Sequence, residues 1–263
     1  LQPVSLQELV KRLLHQKPLH NLVALTFDDG YANNLHQALP LLQKYQVPAT
    51  IFVITGAVTD TIPFYWEVLV QAILKSDDNR PLPPEIHLPH QKKFMRYPLH
   101  TLEDRVRTYL ALRSYLSNLH GAERLAFLQR ILESLGLNGA RINNHRALTL
   151  PELSKLAHNP LITIGSHTVS HPPLDRLSAE RVWWEVRTAM EQIADYTGRE
   201  VRYFAYPYAR ANGQVRQIVR ASGYEAACGT RQEGVDSRSG LSYLPRLHVG
   251  DWSGAEMVRY LGR

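Results

Sequence analysis

The sequence predicts an α/β fold, a parallel sheet wrapped by helices. Short β-branched apolar runs alternate along the chain with helical patterns, and such a β-α-β-α rhythm favours parallel strands, either open or closed into a barrel. A second observation is the position of the polar motifs: "TFDDGY", "SHTVSHP" and "YPYA" each follow directly on one of those runs. A third is a stretch of about a hundred residues between two of the strands with no comparable strand signal, which reads as a helical insertion.

In chain order, "LVALTFDD" is the first clear strand, and "NNLHQALPLLQKYQ" follows with Leu35, Leu39, Leu42 and Tyr45 spaced three or four apart, one face of a helix. "PATIFVIT" is the next strand. Within the insertion, "YWEVLVQAIL", "TLEDRVRTYLALRSYLSNL" and "GAERLAFLQRILESLGL" read as helices, and "NRPLPPEIHLPHQ" reads as a Pro-rich link. "LITIGSH" resumes the sheet, followed by helix "SAERVWWEVRTAMEQIADYTG", strand "RYFAYP", helix "NGQVRQIVRASG" and strand "YEAACGT". The expected organisation is one domain over residues 1–263 with the helical insertion at 62–150.

The 263 residues are 44% hydrophobic and 21% charged, enough for a full core and unlike a disordered or fibrous chain. No stretch reaches the roughly 18 uninterrupted apolar residues of a membrane helix. Lys plus Arg exceed Asp plus Glu by 30 to 24, yet the basic residues are scattered, so nucleic acid is not the expected partner. A single cysteine, Cys228, excludes an intrachain disulfide and a multi-cysteine zinc site, and "YEAACGT" places it as a small core residue. The chain opens on Leu1, which leaves room for an upstream export signal; an extracytoplasmic or envelope location is the expectation. Nothing in the sequence sets the oligomeric state.

Asp28 and Asp29 raise the main chemical question. Adjacent carboxylates repel, and at the end of a buried strand they require a cation or water beside them. A surface Asp-Gly turn is the plain alternative. His167 and His171 stand four apart just after another strand, a spacing from which two imidazoles can converge on a cation if the backbone turns. In parallel α/β barrels the C-terminal strand ends share one face, where the Asp pair and the His pair can meet. Arg202 opens the strand that runs into "YPYA", and its planar fork suits it to hold one carboxylate ionised while the other faces a metal.

"TFDDGY", "SHTVSHP" and "RYFAYPYA", in that order, resemble the first three motifs of the NodB-type polysaccharide deacetylases, carbohydrate esterase family 4. The resemblance covers roughly residues 22–61 and 161–230. It implies a distorted (β/α) barrel that removes acetyl groups from N-acetylated amino sugars of a polymer such as poly-N-acetylglucosamine, a chitin-like chain or peptidoglycan. It implies Asp28 as general base, Asp29, His167 and His171 as ligands of one divalent metal, Arg202 holding Asp28, and the Tyr208 backbone N–H at the oxyanion. Zinc suits two His and one Asp with open positions, and Co2+, Ni2+ and Mn2+ fit the same donors. A metal that lowers the pKa of water from about 15.7 to about 7 supplies roughly 12 kcal/mol of activation, after which a carboxylate base suffices.

The pattern departs from the family at three points. Tyr31 replaces a common Pro, and Ala209 a common Gly. The fourth and fifth motifs have only the weak counterparts "GVDSRSG" and "LPRLHVGDW", the latter offering His248 as an acid for the leaving amine. Two other readings remain at the level of sequence: a carbohydrate-binding relative without chemistry, and a hydrolase of a small non-sugar amide. Tyr31, Tyr65, Trp66, Tyr206, Tyr208 and Trp252 suit sugar stacking, though aromatics also fill cores.

Overall fold

A computed structural model describes residues 1–59, 64–75, 81–90, 93–119, 121–137 and 146–261. The chain runs β1 (Gln2–Pro3), α1 (Leu6–Leu14), β2 (Leu22–Val23), β3 (Leu25–Phe27), α2 (Leu39–Tyr45), β4 (Ala49–Val53), α3 (Thr55–Val58) and α4 (Tyr65–Leu69). It continues through β5 (Glu85–His90), β6 (Lys93–Pro98), α5 (Leu102–Asn118), α6 (Gly121–Ser134), α7 (Leu150–Ala157), β7 (Ile162–Ser166), α8 (Ala179–Thr197), β8 (Tyr203–Ala205), α9 (Gly213–Ala221), β9 (Ala226–Cys228) and α10 (Gly254–Leu261). Five parallel strands, ordered β3-β4-β7-β8-β9, form a half-barrel surrounded by helices, the distorted (β/α) barrel that the motifs imply.

Inner strand β4 is buried at every residue from Ala49 to Val53, as a parallel strand covered on both faces must be. Helices α2, α7, α8 and α9 cover one face, and their apolar stripes meet Ile51, Val53, Ile164 and Phe204 in the main core. Helix α1 lies against the other, where Leu6, Leu9, Val10 and Leu13 keep the 3,4 spacing and pack with Phe52, Tyr203 and Ala205. Local signals fix the helix ends: Ser5 caps α1 by accepting from Glu8 N–H, and Thr149 and Glu152 form a reciprocal capping box on α7. Gly198 ends α8 in the left-handed conformation.

The inserted segment has its own core, built from Tyr65, Leu69 and Ile73, Ile86 and Leu88, and α5 and α6 residues such as Leu112, Leu116 and Ile131. It is not wholly helical. β5, inside the stretch expected to be a Pro-rich link, pairs antiparallel with β6 just after it, Glu85 opposite Pro98. Pro84 and Pro89 mask the alternation of buried Ile86 and Leu88, and a two-stranded ribbon tolerates Pro wherever its missing N–H would face outward. Leu148 and Leu153, by contrast, pack into the main core, so the chain has rejoined the sheet layer before residue 150. Residues 138–145, within the expected insertion, lie outside the described residues.

Candidate active site

Because the five strands are parallel, Asp28, Ile54, His167, Tyr206 and Gly229 each follow the last residue of a strand at one edge of the sheet. The "DDG" turn after β3 places Asp29 at φ 72° and Gly30 at φ 77°. A Cβ at Gly30 would come 2.8 Å from Val53 Cγ1, so both the dihedral and the space require glycine there. Gly30 C=O accepts from Leu148 N–H (2.9 Å), tying the turn to the chain that re-enters the sheet.

The His loop is held from outside. Glu185 of α8, fully buried, accepts from Val169 N–H (3.0 Å), Ser170 N–H (2.9 Å) and Ser170 Oγ–H (2.6 Å), and its charge is met by Arg181 at 3.2 Å. Thr168, at φ 70°, accepts from His171 N–H at 2.9 Å, folding the loop so that both imidazoles turn inward. His167 Nδ1 bonds to Ala205 C=O at 2.7 Å, which leaves its Nε2 lone pair toward Asp29.

His167 Nε2 and His171 Nε2 lie 3.5 and 3.6 Å from Asp29 Oδ1, and the three donor atoms all fall within 4.8 Å of one another. Ligands about 2.0–2.1 Å from a tetrahedral zinc are ~3.4 Å apart, so the spacing suits a shared cation better than direct hydrogen bonds. Charge points the same way. Burial, reinforced by the carboxylates of Asp28 and Glu67 and opposed by His167, pushes the Asp29 carboxyl up to about 6, the mark of a site short of positive charge. Burial, together with the charges of His167, Arg124 and Arg113, pushes His171 well below its ordinary value, so its imidazole is the neutral, ligating form. These residues fit a divalent metal.

Asp28 is held differently. Burial works to raise its pKa, but His167 and Arg246 overcome it and keep the carboxyl below the usual range. Arg246 Nη1 and Nη2 donate to the two Asp28 oxygens at 2.7 and 2.8 Å, a bidentate pair; Nη1 also reaches Thr26 Oγ1, and Nε donates to Gly229 C=O at 2.8 Å. The absence of a side chain at Gly229 is what admits the Tyr243 ring, whose hydroxyl donates to Ala209 C=O at 2.9 Å.

Arg202 therefore does not hold Asp28. It immediately precedes β8, at the opposite edge of the sheet from the site, and its guanidinium pairs with Glu200 (2.6 Å) and Glu225 (3.1 Å) in solvent. A strand of three residues spans ~10 Å, too far for an Arg at its start to serve its end. The arginine that holds Asp28 comes instead from "LPRLHVGDW", the stretch singled out for His248. His248 itself is exposed, although it is close enough for its charge to contribute to lowering the Asp28 pKa.

Tyr208 lies beside the histidines, its ring centroid 4.6 Å from His171, in the left-handed region at φ 56°. Ala209 follows at φ 55°, the position at which a glycine was expected. Ala209→Gly should relieve ~1 kcal/mol of strain and raise Tm by ~2–4 °C in thermal unfolding; a lower Tm would contradict the backbone described here. Of the other aromatics, Tyr206 and Tyr65 are 1% exposed and serve the core, whereas Trp66 and Tyr31 line the site: Trp66 Nε1–H donates to Tyr31 Oη, which donates to Glu67 Oε1, both at 2.7 Å.

The sequence model of the polysaccharide deacetylase family matches residues 15–80 and 134–227, more than half of the chain. The chain belongs to the polysaccharide deacetylases. YxkH of Bacillus subtilis (strain 168), a protein named for that activity, is 51% identical over 39 residues, 15% of this chain and 14% of that protein. Among solved structures, the deacetylase PplD of Streptococcus pyogenes, in complex with acetate, superposes with TM-score 0.61 at 19% identity, over 98% of this chain and 79% of that one. IcaB of Ammonifex degensii gives 0.58 at 16% identity over 100% and 82%, and the BpsB deacetylase domain of Bordetella bronchiseptica 0.55 at 19% over 93% and 78%. At these identities the likeness is one of fold. No helix among the described residues is long and apolar enough to cross a membrane.

Proposed function

We propose that this polysaccharide deacetylase is a metal-dependent hydrolase that removes N-acetyl groups from amino sugars of a polymer of the poly-N-acetylglucosamine, chitin-like or peptidoglycan class. The observation that carries the reading is the division between two adjacent carboxylates: Asp28 locked ionised by Arg246, Asp29 facing two imidazoles in a cluster short of positive charge. Asp29, His167 and His171 would hold the cation, with zinc the best match to two imidazoles and a carboxylate. When bound, the cation supplies Lewis-acid polarisation of the acetyl carbonyl and acidifies water.

The chain's own groups do the rest. Asp28, kept unprotonated, takes the proton of the attacking water as the new C–O bond forms. Tyr208 N–H, offered by a left-handed peptide, donates to the carbonyl oxygen as it gains charge. Protonated Asp28 then returns the proton to the amide nitrogen, the C–N bond breaks, and acetate and a free amine leave. Trp66 and the partly exposed Tyr208 present rings to a sugar at the mouth of the site.

The test is acetate release from N-acetylated oligosaccharides. Activity should vanish with chelator and return on adding zinc. Full activity in chelator would remove the cation from the reading, and sugar binding without any acetate release would remove the hydrolysis.

A further inference from the structure

We propose that Tyr65, contributed by the inserted segment, is a positioning residue for the reaction: its hydroxyl holds the Tyr208 side chain and thereby fixes the left-handed peptide whose N–H meets the reacting carbonyl. The role rests on the deacetylase reading above. Tyr65 and Tyr208 hydroxyls are 2.6 Å apart, across 143 residues of sequence. Tyr65 is 1% exposed and beyond the reach of substrate, whereas Tyr208 is 36% exposed and borders it.

Tyr65 is itself immobilised. Its ring meets the Trp66 indole edge-on at 5.0 Å, and the Arg124 guanidinium sits over it at 5.0 Å. Arg124 is 2% exposed and cannot drift: Nε donates to Leu116 and Leu119 C=O at the end of α5, and Nη1 to Ser170 C=O at 2.6 Å, next to the metal-facing His171. The inserted core is thus clamped to the His loop, and Tyr65 is the arm it extends to the Tyr208 loop.

A tether is needed there because the backbone alone does not favour the geometry. A tyrosine in the left-handed region costs roughly 1 kcal/mol or more, and the peptide whose N–H it carries is held by the backbone through one bond, Arg210 N–H to Pro207 C=O at 3.1 Å. Anchoring the side chain at its far end adds a second restraint, against the rotations by which the Tyr208 N–H would turn away from the site. The insertion is therefore a working part of the active site.

Tyr65→Phe, Tyr208→Phe and the double variant test this, with kcat, KM, bound metal and Tm measured on an N-acetylated oligosaccharide. Tyr65→Phe should lose about five- to tenfold in kcat with KM within about twofold, and full metal content. Tyr208→Phe should match it, and the double variant should be no worse than either single, since both remove one bond. An active wild type with an unimpaired Tyr65→Phe, or losses that multiply in the double variant, overturns the role alone. A wild type that releases no acetate overturns the deacetylase reading and this role with it.

Discussion

Asp28→Asn is expected to lower kcat/KM about a thousandfold while the protein keeps a full equivalent of divalent metal. The amide preserves shape and can still accept from Arg246, but it cannot take a proton from water. Asp29→Asn should do something different: the oxygen nearest both imidazole Nε2 atoms loses its negative charge, so metal affinity and activity should fall together. His171→Ala should behave like Asp29→Asn. Metal analysis and acetate-release kinetics on the three variants separate the roles; equal metal loss in Asp28→Asn and Asp29→Asn would contradict the division of labour.

That these residues meet was legible in the sequence because parallel topology does most of the placing. Once "TFDD", "SHTVSH" and "YPY" are read as following parallel strands, their residues must share an edge, and Asp28, Asp29, His167, His171 and Tyr208 are found there. What the sequence could not place is whatever arrives without a strand. Arg246 lies in irregular chain after β9, 218 residues from Asp28, and no periodicity predicts where such a segment crosses the sheet edge. By the same topology Arg202, which stands just before its strand, lies at the opposite edge from the site. Tyr65 and Arg124 were hidden for a related reason: they belong to an insertion whose docking onto the site is set by side-chain packing between separate cores, which carries no local signal.

Arg246 should matter nearly as much as the base it holds. Arg246→Ala removes the bidentate partner of Asp28 and leaves Gly229 C=O and Thr26 Oγ1 without their donor. The sign of the pH effect follows from the direction of the shift. Asp28 has its folded-state pKa depressed, so its ionised form persists down through the ordinary carboxylate range, and the stability gained from that depression is present above the unfolded pKa and lost as pH falls through the folded one. Without Arg246 the pKa rises, the acid limb of kcat/KM moves to higher pH, and the plateau falls by about a hundredfold or more through misorientation of the carboxylate. Arg246→Lys keeps the charge without the planar fork and should recover part of the plateau and part of the limb. Arg202→Ala, by contrast, breaks only a solvent-exposed pair with Glu200 and Glu225 and should leave both limb and plateau at wild type. The measurement is a pH profile of kcat/KM for the three variants beside metal analysis. A shifted limb in Arg202→Ala, or an unshifted one in Arg246→Ala, would reverse the assignment of the two arginines.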